Sequence, residues 1–382
     1  MRIGFDAIRA LHNTTGLGNY ARGVLRGLHA MAPQHDLHLY SPKPPAESFR
    51  VFQQEIEATV HLPSPNPRAQ GLLPWRTFRL GRAAARDGMQ LYHGLTHEIP
   101  RDLPGTGVRS VVTFADLIYE IHPEYFPLFD RWSYRWRYRW SARHTDAIVA
   151  ISGQTADDLC ECYAIDPAQI TVVPPARNPV FTIVTSDAAR AAVRERHDLP
   201  AEFILSVGTL EPRKNHDVLL RAFAAIAPGD APPLVLVGRD GGSRAALEAT
   251  IRVWGLAGRV LIRTEVPTAD LPALMQQATL FLYPSLVEGF GMPIVEALSA
   301  GTPVIASTGP CLIEAGGPGS RYVPATDVSG WAAAISELAG NTTLRARLRQ
   351  AGLQHAKQFD GDRVAARLLS VYDAVMTKTA LP

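Results

Sequence analysis

Short apolar runs alternate with longer amphipathic stretches along most of this 382-residue chain. Several of the runs are almost wholly apolar, which predicts strands buried on both faces of a parallel sheet. The amphipathic stretches between them, such as Leu17–Met31 and Asn215–Ala227, predict helices. The predicted strands are Arg2–Asp6, Leu37–Ser41, Gln90–His93, Ser110–Phe114, Ala147–Ile151, Ile170–Val173, Phe203–Val207, Leu234–Val237, Val260–Arg263, Thr279–Tyr283 and Pro303–Ser307. Repeated β–α units of this kind predict a doubly wound α/β architecture.

The alternation pauses at Pro174–Pro179, where three prolines occur within six residues. Because prolines interrupt helices and central strands, this segment predicts a linker between two domains. We expect a first Rossmann-like domain over residues 1–176 and a second over residues 177–360. The last helix, within residues 361–382, is expected to pack at the domain junction. The functional loops should follow the carboxyl ends of the strands and face a cleft between the domains.

Composition narrows the class of protein. The net charge of +2 gives no overall field that would attract nucleic acid. The three cysteines lack the spacing of a zinc site or a disulfide framework. No apolar stretch reaches the roughly 18 residues of a membrane-spanning helix. These features predict a cytoplasmic protein without a metal or cofactor, and they leave contact with the inner face of a membrane open.

The segment from Tyr283 to Leu298 carries the most chemical information. It predicts a strand end, a glycine-rich turn and a helix whose first turn contains Pro293, where proline is well tolerated. Amides of the turn and the positive end of the helix could bind an anion or hydroxyl groups. Glu288 precedes the turn and Glu296 lies one turn into the helix, so both carboxylates could contact one ligand. The alternative is a tight β–α turn with two solvated glutamates.

This segment resembles the Glu-x7-Glu signature of the retaining glycosyltransferases of family 4, which have the GT-B fold of two facing Rossmann-like domains. The similarity continues at Thr14–Tyr20, Ser206–Asn215 and Ser307–Gly317, and it extends over nearly the whole chain. It implies transfer of a sugar from a nucleotide diphosphate donor to a glycan or lipid-linked acceptor. In the family, the residues that match Arg213 and Lys214 hold the donor diphosphate. Two cations there would stabilise the charge of the leaving group without a metal ion.

The resemblance also assigns the rest of the donor site. Glu296 is expected to bind the ribose hydroxyls, and Glu288 the donor sugar. Glu288, Arg213 and Lys214 are therefore the candidate catalytic residues. The full set of expected donor-binding residues is Gly16, Gly18, Gly208, Arg213, Lys214, Glu265, Val266, Glu288, Gly289, Phe290, Gly291, Met292, Pro293 and Glu296. The alternatives are a solvated Arg-Lys loop and an ordinary turn at Gly16 and Gly18.

One position departs from the family pattern. Ala115 stands before Asp116, where the family commonly has a histidine that lies against the donor sugar. Because a methyl group cannot donate a hydrogen bond, Ala115 is expected to lower turnover more than donor binding. His93, His97 and Asp116 are candidate acceptor-side residues at the predicted strand ends. For each histidine alone, a structural role in the core is the alternative.

The segment from Arg131 to Trp140 has an unusual composition. On a helix, Trp132, Trp136 and Trp140 recur every fourth residue beside several arginines. Such a surface could contact anionic headgroups. The favoured alternative is that the tryptophans pack inward, because this helix must also cover its sheet.

The leading functional hypothesis is a retaining transferase that moves a hexose, namely mannose from GDP-mannose, in the assembly of a bacterial surface polysaccharide. A nucleotide-sugar epimerase or hydrolase on the same fold is one alternative. A catalytically silent nucleotide-sugar-binding protein is another. A nucleic-acid-binding role for the Arg/Trp segment conflicts with the near-neutral charge and the lack of a recognised module.

Overall fold

The structure is a computed structural model that describes residues 1–64 and 75–377. The chain divides into two compact units. Met1–Ala176 and Phe359–Pro382 form the first, and Arg177–Gln358 forms the second. The segment 361–382, which we expected at a domain junction, is thus part of the first unit, and its last five residues lie outside the described ranges.

The strands within the described residues are short and follow the apolar runs of the sequence. They are β1 (Arg2–Asp6), β2 (Asp36–Tyr40), β3 (Thr59–His61), β4 (Leu91–Gly94), β5 (Arg109–Phe114), β6 (Ala147–Ala150), β7 (Ile170–Val172), β8 (Ile204–Val207), β9 (Leu234–Val237), β10 (Val260–Arg263), β11 (Leu280–Tyr283), β12 (Val304–Ser307) and β13 (Ser320–Val323).

The helices lie between these strands and at the end of the chain. They are α1 (Ile8–His12), α2 (Gly16–Met31), α3 (Arg50–Glu55), α4 (Trp75–Phe78), α5 (Leu80–Arg86), α6 (Ile118–Ile121), α7 (Leu128–His144), α8 (Gly153–Tyr163), α9 (Asp187–Arg196), α10 (His216–Ala225), α11 (Arg244–Val253), α12 (Leu271–Gln277), α13 (Met292–Ser299), α14 (Pro310–Gly316), α15 (Val328–Gly340), α16 (Thr342–Ala356) and α17 (Gly361–Thr377). Among the described helices, none is both long enough and apolar enough to cross a membrane.

Each unit contains one parallel sheet. The first sheet has the order β3-β2-β1-β4-β5-β6-β7 and the second has the order β10-β9-β8-β11-β12-β13. All of the observed strand pairs are parallel. The winding direction reverses between β1 and β4 in the first sheet and between β8 and β11 in the second. Doubly wound sheets bind ligands at the carboxyl ends of the strands beside such a reversal.

The predicted α/β architecture with parallel sheets is confirmed. Every predicted strand is present, with its ends within one residue of the prediction. Two strands, β3 and β13, were not predicted. Each lies at an edge of its sheet and is half-exposed, so its sequence lacks the continuous apolar run of a central strand.

The C-terminal helix belongs to the core of the first unit. Helix α17 packs against α2, and Leu368 and Tyr372 are buried in the same cluster as Phe5 of β1. A Cβ atom at Gly27 would lie 3.1 Å from the Cβ atom of Ala365, so glycine allows the two helices to approach closely. This packing covers one face of the first sheet.

His93 joins α17 to the first sheet through hydrogen bonds. Its Nδ1 atom lies 2.7 Å from the Tyr372 hydroxyl and its Nε2 atom 2.8 Å from the Thr113 hydroxyl, which also lies 3.0 Å from the Tyr20 hydroxyl. Burial lowers the pKa of His93 to about 3, so the ring is neutral. With both ring nitrogens bonded and no exposed surface, His93 has the structural role that the sequence left as its alternative.

Tyr372→Phe is therefore expected to leave a buried nitrogen of His93 without a partner. An unpaired buried polar group costs roughly 1–3 kcal/mol. We therefore expect the variant to lower the unfolding free energy of the first unit by that amount. Hydrogen exchange of the β4 and β5 amides under mild denaturant measures it. Tyr125→Phe is the matched control, because the Tyr125 hydroxyl has no hydrogen bond among the described residues. Equal exchange rates in both variants would contradict the structural role of this contact.

Candidate active site

The site in the second unit lies at the carboxyl ends of β8 and β11, where the winding of the sheet reverses. The loop after β8 forms a short 3-10 turn, Pro212–Lys214, and Asn215 then adopts a left-handed conformation with φ 55°. The Asn215 side chain donates hydrogen bonds to the carbonyl oxygens of Pro284 (3.1 Å) and Ala325 (2.8 Å). Asparagine tolerates this backbone conformation better than most residues, so one side chain both permits the turn and ties it to β11.

Glu288 brings the two strand ends together. Its carboxylate accepts hydrogen bonds from the hydroxyls of Tyr283 (2.8 Å) and Ser285 (2.6 Å) and from Lys214 Nζ. The Arg213 guanidinium donates to the same carboxylate at 3.2 Å. Lys214 Nζ also donates to the Tyr283 hydroxyl at 2.9 Å. Five side chains, from the end of β11 and from the loops after β8 and β11, thus form one hydrogen-bonded network.

The charges in this network determine whether the Glu288 and Lys214 side chains are ionised. Burial acts to raise the pKa of Glu288, but the charges of Lys214 and Arg213 outweigh it and hold that pKa at about 2. Burial lowers the pKa of Lys214, and the Glu288 charge partly offsets this. Arg213 pairs with Glu211 as well, at 2.7 Å. The network therefore combines two cations with two carboxylates, one of them almost wholly buried.

A glycine-rich turn connects Glu288 to helix α13. Gly291 precedes the helix with φ 114°, and a Cβ atom there would lie 2.9 Å from Leu312 Cδ2. Both the conformation and the close approach require glycine at this position. Pro293 lies in the first helical turn, as predicted, and the Cys311 thiol contacts the Glu288 carbonyl oxygen at 3.2 Å. Helix α13 thus begins four residues after Glu288, and its first turn brings the positive end of the helix to this loop.

Glu296 lies on α13, outside the Glu288 network. Within the described residues, its carboxyl group has no hydrogen bond or ion pair, and burial raises its pKa to about 8. The two signature glutamates therefore differ in protonation at neutral pH. Glu288 is ionised and held by cations, whereas Glu296 is mainly protonated.

The other donor-site candidates of the second unit lie at the same edge of the sheet. Gly208 follows β8, and the Lys214 side chain passes 3.6 Å from the position that a Gly208 Cβ atom would occupy. Glu265 and Val266 follow β10, which is separated from β8 by β9. Glu265 is exposed there. Among the described residues, no group of three His, Cys, Asp or Glu side chains is arranged to hold a metal ion.

The structure adds three residues, Tyr283, Ser285 and His216, to which the sequence patterns gave no role. Tyr283 and Ser285 lie within the signature segment, and both donate to Glu288. His216 follows the Arg-Lys turn and has a buried Nδ1 atom without a hydrogen-bond partner in the described residues. Burial, with the Lys214 charge, lowers the pKa of His216 to about 4. Hydroxyl and imidazole groups beside a charged motif are the sequence signal that could have identified them.

The two donor-site candidates of the first unit, Gly16 and Gly18, lie in a helix and not in a loop. A short helix, α1, follows β1, and α2 already begins at Gly16. A Cβ atom at Gly18 would lie 2.0 Å from the Asn13 carbonyl oxygen, so glycine is required there for packing. A Cβ atom at Gly16 would meet no atom within 4 Å. The expected glycine-rich loop is therefore the first turn of α2, where unpaired amides also occur.

The candidate residues after β4 and β5 form one cluster. His97 Nε2 accepts hydrogen bonds from the amides of Ala115 (3.1 Å) and Asp116 (3.4 Å). Ala115 is 6% exposed, and its carbonyl oxygen accepts from the Thr155 hydroxyl. The Asp116 carboxylate accepts from the Ile118 amide. The structure thus brings His97, Ala115 and Asp116 together and leaves His93 in the core.

The Arg/Trp segment forms most of α7, and its tryptophans do not all pack inward. Trp132 and Trp136 are 66% and 43% exposed. Tyr134 and Tyr138 face the core instead, stacked on each other with ring centroids 5.2 Å apart. The interpretation that the tryptophans cover the sheet is wrong for Trp132 and Trp136, because the tyrosines two residues away occupy the inward face.

Two units with doubly wound parallel sheets place this chain among Rossmann-like α/β proteins, which bind ligands at the carboxyl ends of the strands. The family model for Glycosyltransferase Family 4 matches residues 14–181, and the model for Glycosyl transferases group 1 matches residues 187–355. Together the two matches include most of the chain. The protein belongs to the glycosyltransferases, with a Family 4 region followed by a group 1 region.

Individual relatives agree with this family. The O-antigen chain mannosyltransferase B of Escherichia coli is 29% identical over 286 residues, which is 74% of this chain and 74% of that protein. The D-inositol 3-phosphate glycosyltransferase of Salinispora arenicola is 35% identical over 243 residues, which is 59% of this chain. That match spans only 54% of the relative.

A solved structure confirms the fold. Anabaena HepE in complex with UDP superposes with a TM-score of 0.74 and covers 98% of this chain and 100% of that chain, at 19% sequence identity. Similarity at this identity shows the fold alone. The GT-B fold expected from the signature segments is therefore confirmed.

Removal of one partner from the Glu288 network should destabilise the second unit. Lys214→Met is expected to cost about 3–5 kcal/mol, because it takes a cation from a buried carboxylate. The double variant Lys214→Met/Glu288→Gln should cost less than the sum of the single changes. Denaturant unfolding of all three variants measures this coupling. Additive losses would contradict a shared network.

The same network predicts how stability depends on acid. The folded pKa of Glu288, about 2, lies below the value of roughly 4.3 for an unfolded chain. The stabilisation from the ionised carboxylate is therefore present above pH 4.3 and is lost as the pH falls towards 2. Glu288→Gln should remove this part of the acid dependence.

Proposed function

We propose that this protein is a retaining hexosyltransferase that moves mannose from GDP-mannose to a glycan or lipid-linked acceptor. The proposal rests on the network of Arg213, Lys214 and Glu288, which lies where the winding of the second sheet reverses. Two cations follow the carboxyl end of β8 there, where a diphosphate would bind. The similarity to an O-antigen mannosyltransferase supports the choice of mannose and of a surface polysaccharide as the product.

The donor contacts follow from the chemistry of the side chains. Arg213 can bind two phosphate oxygens at once, and Lys214 supplies a compact charge beside it. As the bond to the sugar breaks, the nucleoside diphosphate gains charge, and these cations stabilise it. In the structure, the same cations form ion pairs with Glu211 and Glu288. Donor binding therefore exchanges part of these ion pairs for contacts with phosphate.

The remaining assignments concern the sugar and the nucleoside. Glu288, with the amides of the turn that ends at Gly291, would hold the sugar hydroxyls. Glu296 would bind the ribose, and the base would lie near Glu265 and Val266. The amides at the start of α2, including those of Gly16 and Gly18, would approach the phosphates. Retention would follow from attack on the face from which the diphosphate leaves.

Product analysis distinguishes transfer from its alternatives. Purified protein is incubated with GDP-mannose, UDP-glucose or ADP-glucose, with and without a lipid-linked oligosaccharide acceptor. The proposal predicts a new α-linked mannoside that forms only when acceptor is present. Free mannose or an epimerised sugar nucleotide without acceptor would instead show a hydrolase or an epimerase. Donor binding without any product would show a silent binding protein. The solved HepE complexes contain UDP and UDP-glucose, so the uridine donor is the competing choice.

The proposal for the diphosphate predicts a loss of nucleotide affinity. Arg213→Ala and Lys214→Ala should each weaken GDP binding by about 1.5–3 kcal/mol, the range for hydrogen bonds to charged groups. Isothermal calorimetry measures the dissociation constant. Arg221→Ala is the matched control, since Arg221 forms an exposed ion pair with Asp217 on α10. Unchanged affinity in both site variants would remove the assignment.

The raised pKa of Glu296 predicts proton release on nucleotide binding. The carboxyl group is mostly protonated at pH 7 without ligand, because burial raises its pKa to about 8. A carboxylate that accepts ribose hydroxyls is favoured in its ionised form. Affinity should therefore rise with pH up to about 8, by at most tenfold per pH unit.

Calorimetry in buffers of different ionisation enthalpy counts the released protons directly. Glu296→Gln should abolish the release and should raise KM more than it lowers kcat, since ribose gains no charge during transfer. No difference in proton count between the wild type and Glu296→Gln would contradict this role.

We also propose that α7 contacts an anionic membrane surface. Leu128, Phe129 and Trp132 are 78%, 76% and 66% exposed on consecutive turns. The helix contains five arginines and a single aspartate, and the Arg101 guanidinium stacks 3.5 Å from the Trp136 ring centroid. Exposed aromatic and aliphatic side chains beside cations suit the headgroup layer. A lipid-linked acceptor would be reached from such a surface.

Vesicle binding tests this contact. The wild type should sediment with vesicles that contain phosphatidylglycerol and much less with phosphatidylcholine alone, and added salt should weaken the binding. Phe129→Ser/Trp132→Ser should bind at least about tenfold more weakly, because it removes two large apolar side chains from the contact. Trp254→Ser, at an exposed tryptophan of the second unit, is the control. If sedimentation velocity instead shows that α7 forms a dimer interface between two copies of the protein, the membrane contact would be contradicted.

A further inference from the structure

His97 is held in one orientation at the point where the winding of the first sheet reverses. Its backbone has φ 65°, which is uncommon for a residue other than glycine, and its amide donates to the Thr113 carbonyl oxygen at 2.7 Å. The ring stacks on Tyr138, with centroids 4.7 Å apart and planes 18° apart. The Phe114 ring meets it edge-on at 5.4 Å. Only 6% of the residue is exposed.

The hydrogen bonds to this ring identify the nitrogen that carries the proton. The amides of Ala115 and Asp116 both donate to Nε2. Because amides can only donate, Nε2 must present its lone pair. Burial lowers the pKa of His97, although the Asp116 charge opposes it, which favours the neutral ring. A neutral imidazole with a lone pair on Nε2 has its hydrogen on Nδ1.

The Nδ1–H group of His97 has no acceptor among residues 1–64 and 75–377. Unlike His216 Nδ1, which is buried without a partner, His97 Nδ1 keeps some accessible surface, so a ligand can reach it. Here the ring follows β4, and the charge of Arg9, which follows β1, acts on it. Both residues therefore lie at the edge of the sheet where doubly wound folds bind ligands.

We propose that His97, as its Nδ1–H tautomer, donates a hydrogen bond to a hydroxyl group of the sugar substrate. The inference rests on the proposed glycosyl transfer and adds a substrate contact in the first unit. It also changes the interpretation of Ala115. The His97 ring accepts a hydrogen bond from the Ala115 amide, so the Nδ1–H group of His97 lies close to the methyl group of Ala115, which cannot donate a hydrogen bond to the sugar. On this account Ala115 does not impair the enzyme.

Two substitutions separate the two ring nitrogens. The His97→Gln side chain places an oxygen near the Nε2 position, so it can still accept from the Ala115 and Asp116 amides, but it lacks the Nδ1 donor. The His97→Asn side chain places an amide nitrogen near the Nδ1 position and loses the Nε2 acceptor. Both variants lose the stacking on Tyr138, so they form a matched pair.

The proposal expects His97→Gln to lower kcat/KM by about tenfold to a hundredfold, while His97→Asn keeps most of the activity. A larger loss in His97→Asn would show that the ring only positions the loop after β5, and this would overturn the proposal. Separate KM values for the sugar nucleotide and the acceptor show which substrate contributes the hydroxyl. Ala115→His should give no gain in rate; a clear gain would show that the contact is missing from the wild type.

A measurement without turnover keeps this inference separate from the proposed function. Long-range ¹H–¹⁵N spectra of the full chain should show His97 Nδ1 as the protonated nitrogen and Nε2 as the unprotonated one. Thermal shift with GDP-mannose then reports donor binding in each variant. A protonated Nε2 overturns the His97 proposal even if transfer occurs. Lack of transfer by the wild type, with the expected tautomer present, rejects the proposed function instead.

Discussion

The ion-paired network of Glu288 is the interaction on which the second unit's site depends. The carboxylate sits at the end of β11 and holds two cations from the loop after β8, and hydroxyls of Tyr283 and Ser285 complete its shell. A buried carboxylate needs such partners, since an unpaired charge would be costly in this environment. The network thus keeps the cations at the point where the sheet reverses and where a diphosphate can approach.

Local sequence patterns predicted the fold because both sheets are parallel. Their central strands are buried on both faces, so they appear as continuous apolar runs, and each was found within one residue of its observed ends. The edge strands β3 and β13 were missed because half or more of their residues are polar, whereas the edge strands β7 and β10 are also partly exposed but keep mostly apolar sequences. The position of α17 on the first unit could not be predicted either. It depends on contacts such as that between Gly27 and Ala365, which are distant in sequence.

The candidate site was predictable in part for the same physical reasons. A strand, a glycine turn and a helix start are local features, so the loops that contain Arg213, Lys214, Glu288 and Gly291 could be located from the sequence, whereas their roles were implied by the family resemblance. The opposite protonation of Glu288 and Glu296 could not, because it depends on burial and on charges from another loop. Nor could the bond from the Ala115 amide to His97, which joins two strand ends 18 residues apart. Sequence patterns locate loops well, but they do not give the hydrogen bonds between them.

We propose that Arg213 and Lys214 exchange part of their ion pairs for contacts with a nucleoside diphosphate. A crystal structure of the full chain with GDP would show this exchange. The diphosphate oxygens should lie within hydrogen-bond distance of Arg213 and Lys214, with the ribose hydroxyls against Glu296. A diphosphate bound elsewhere, with the ion pairs of Glu288 unchanged and Glu296 free of contacts, would contradict this donor site.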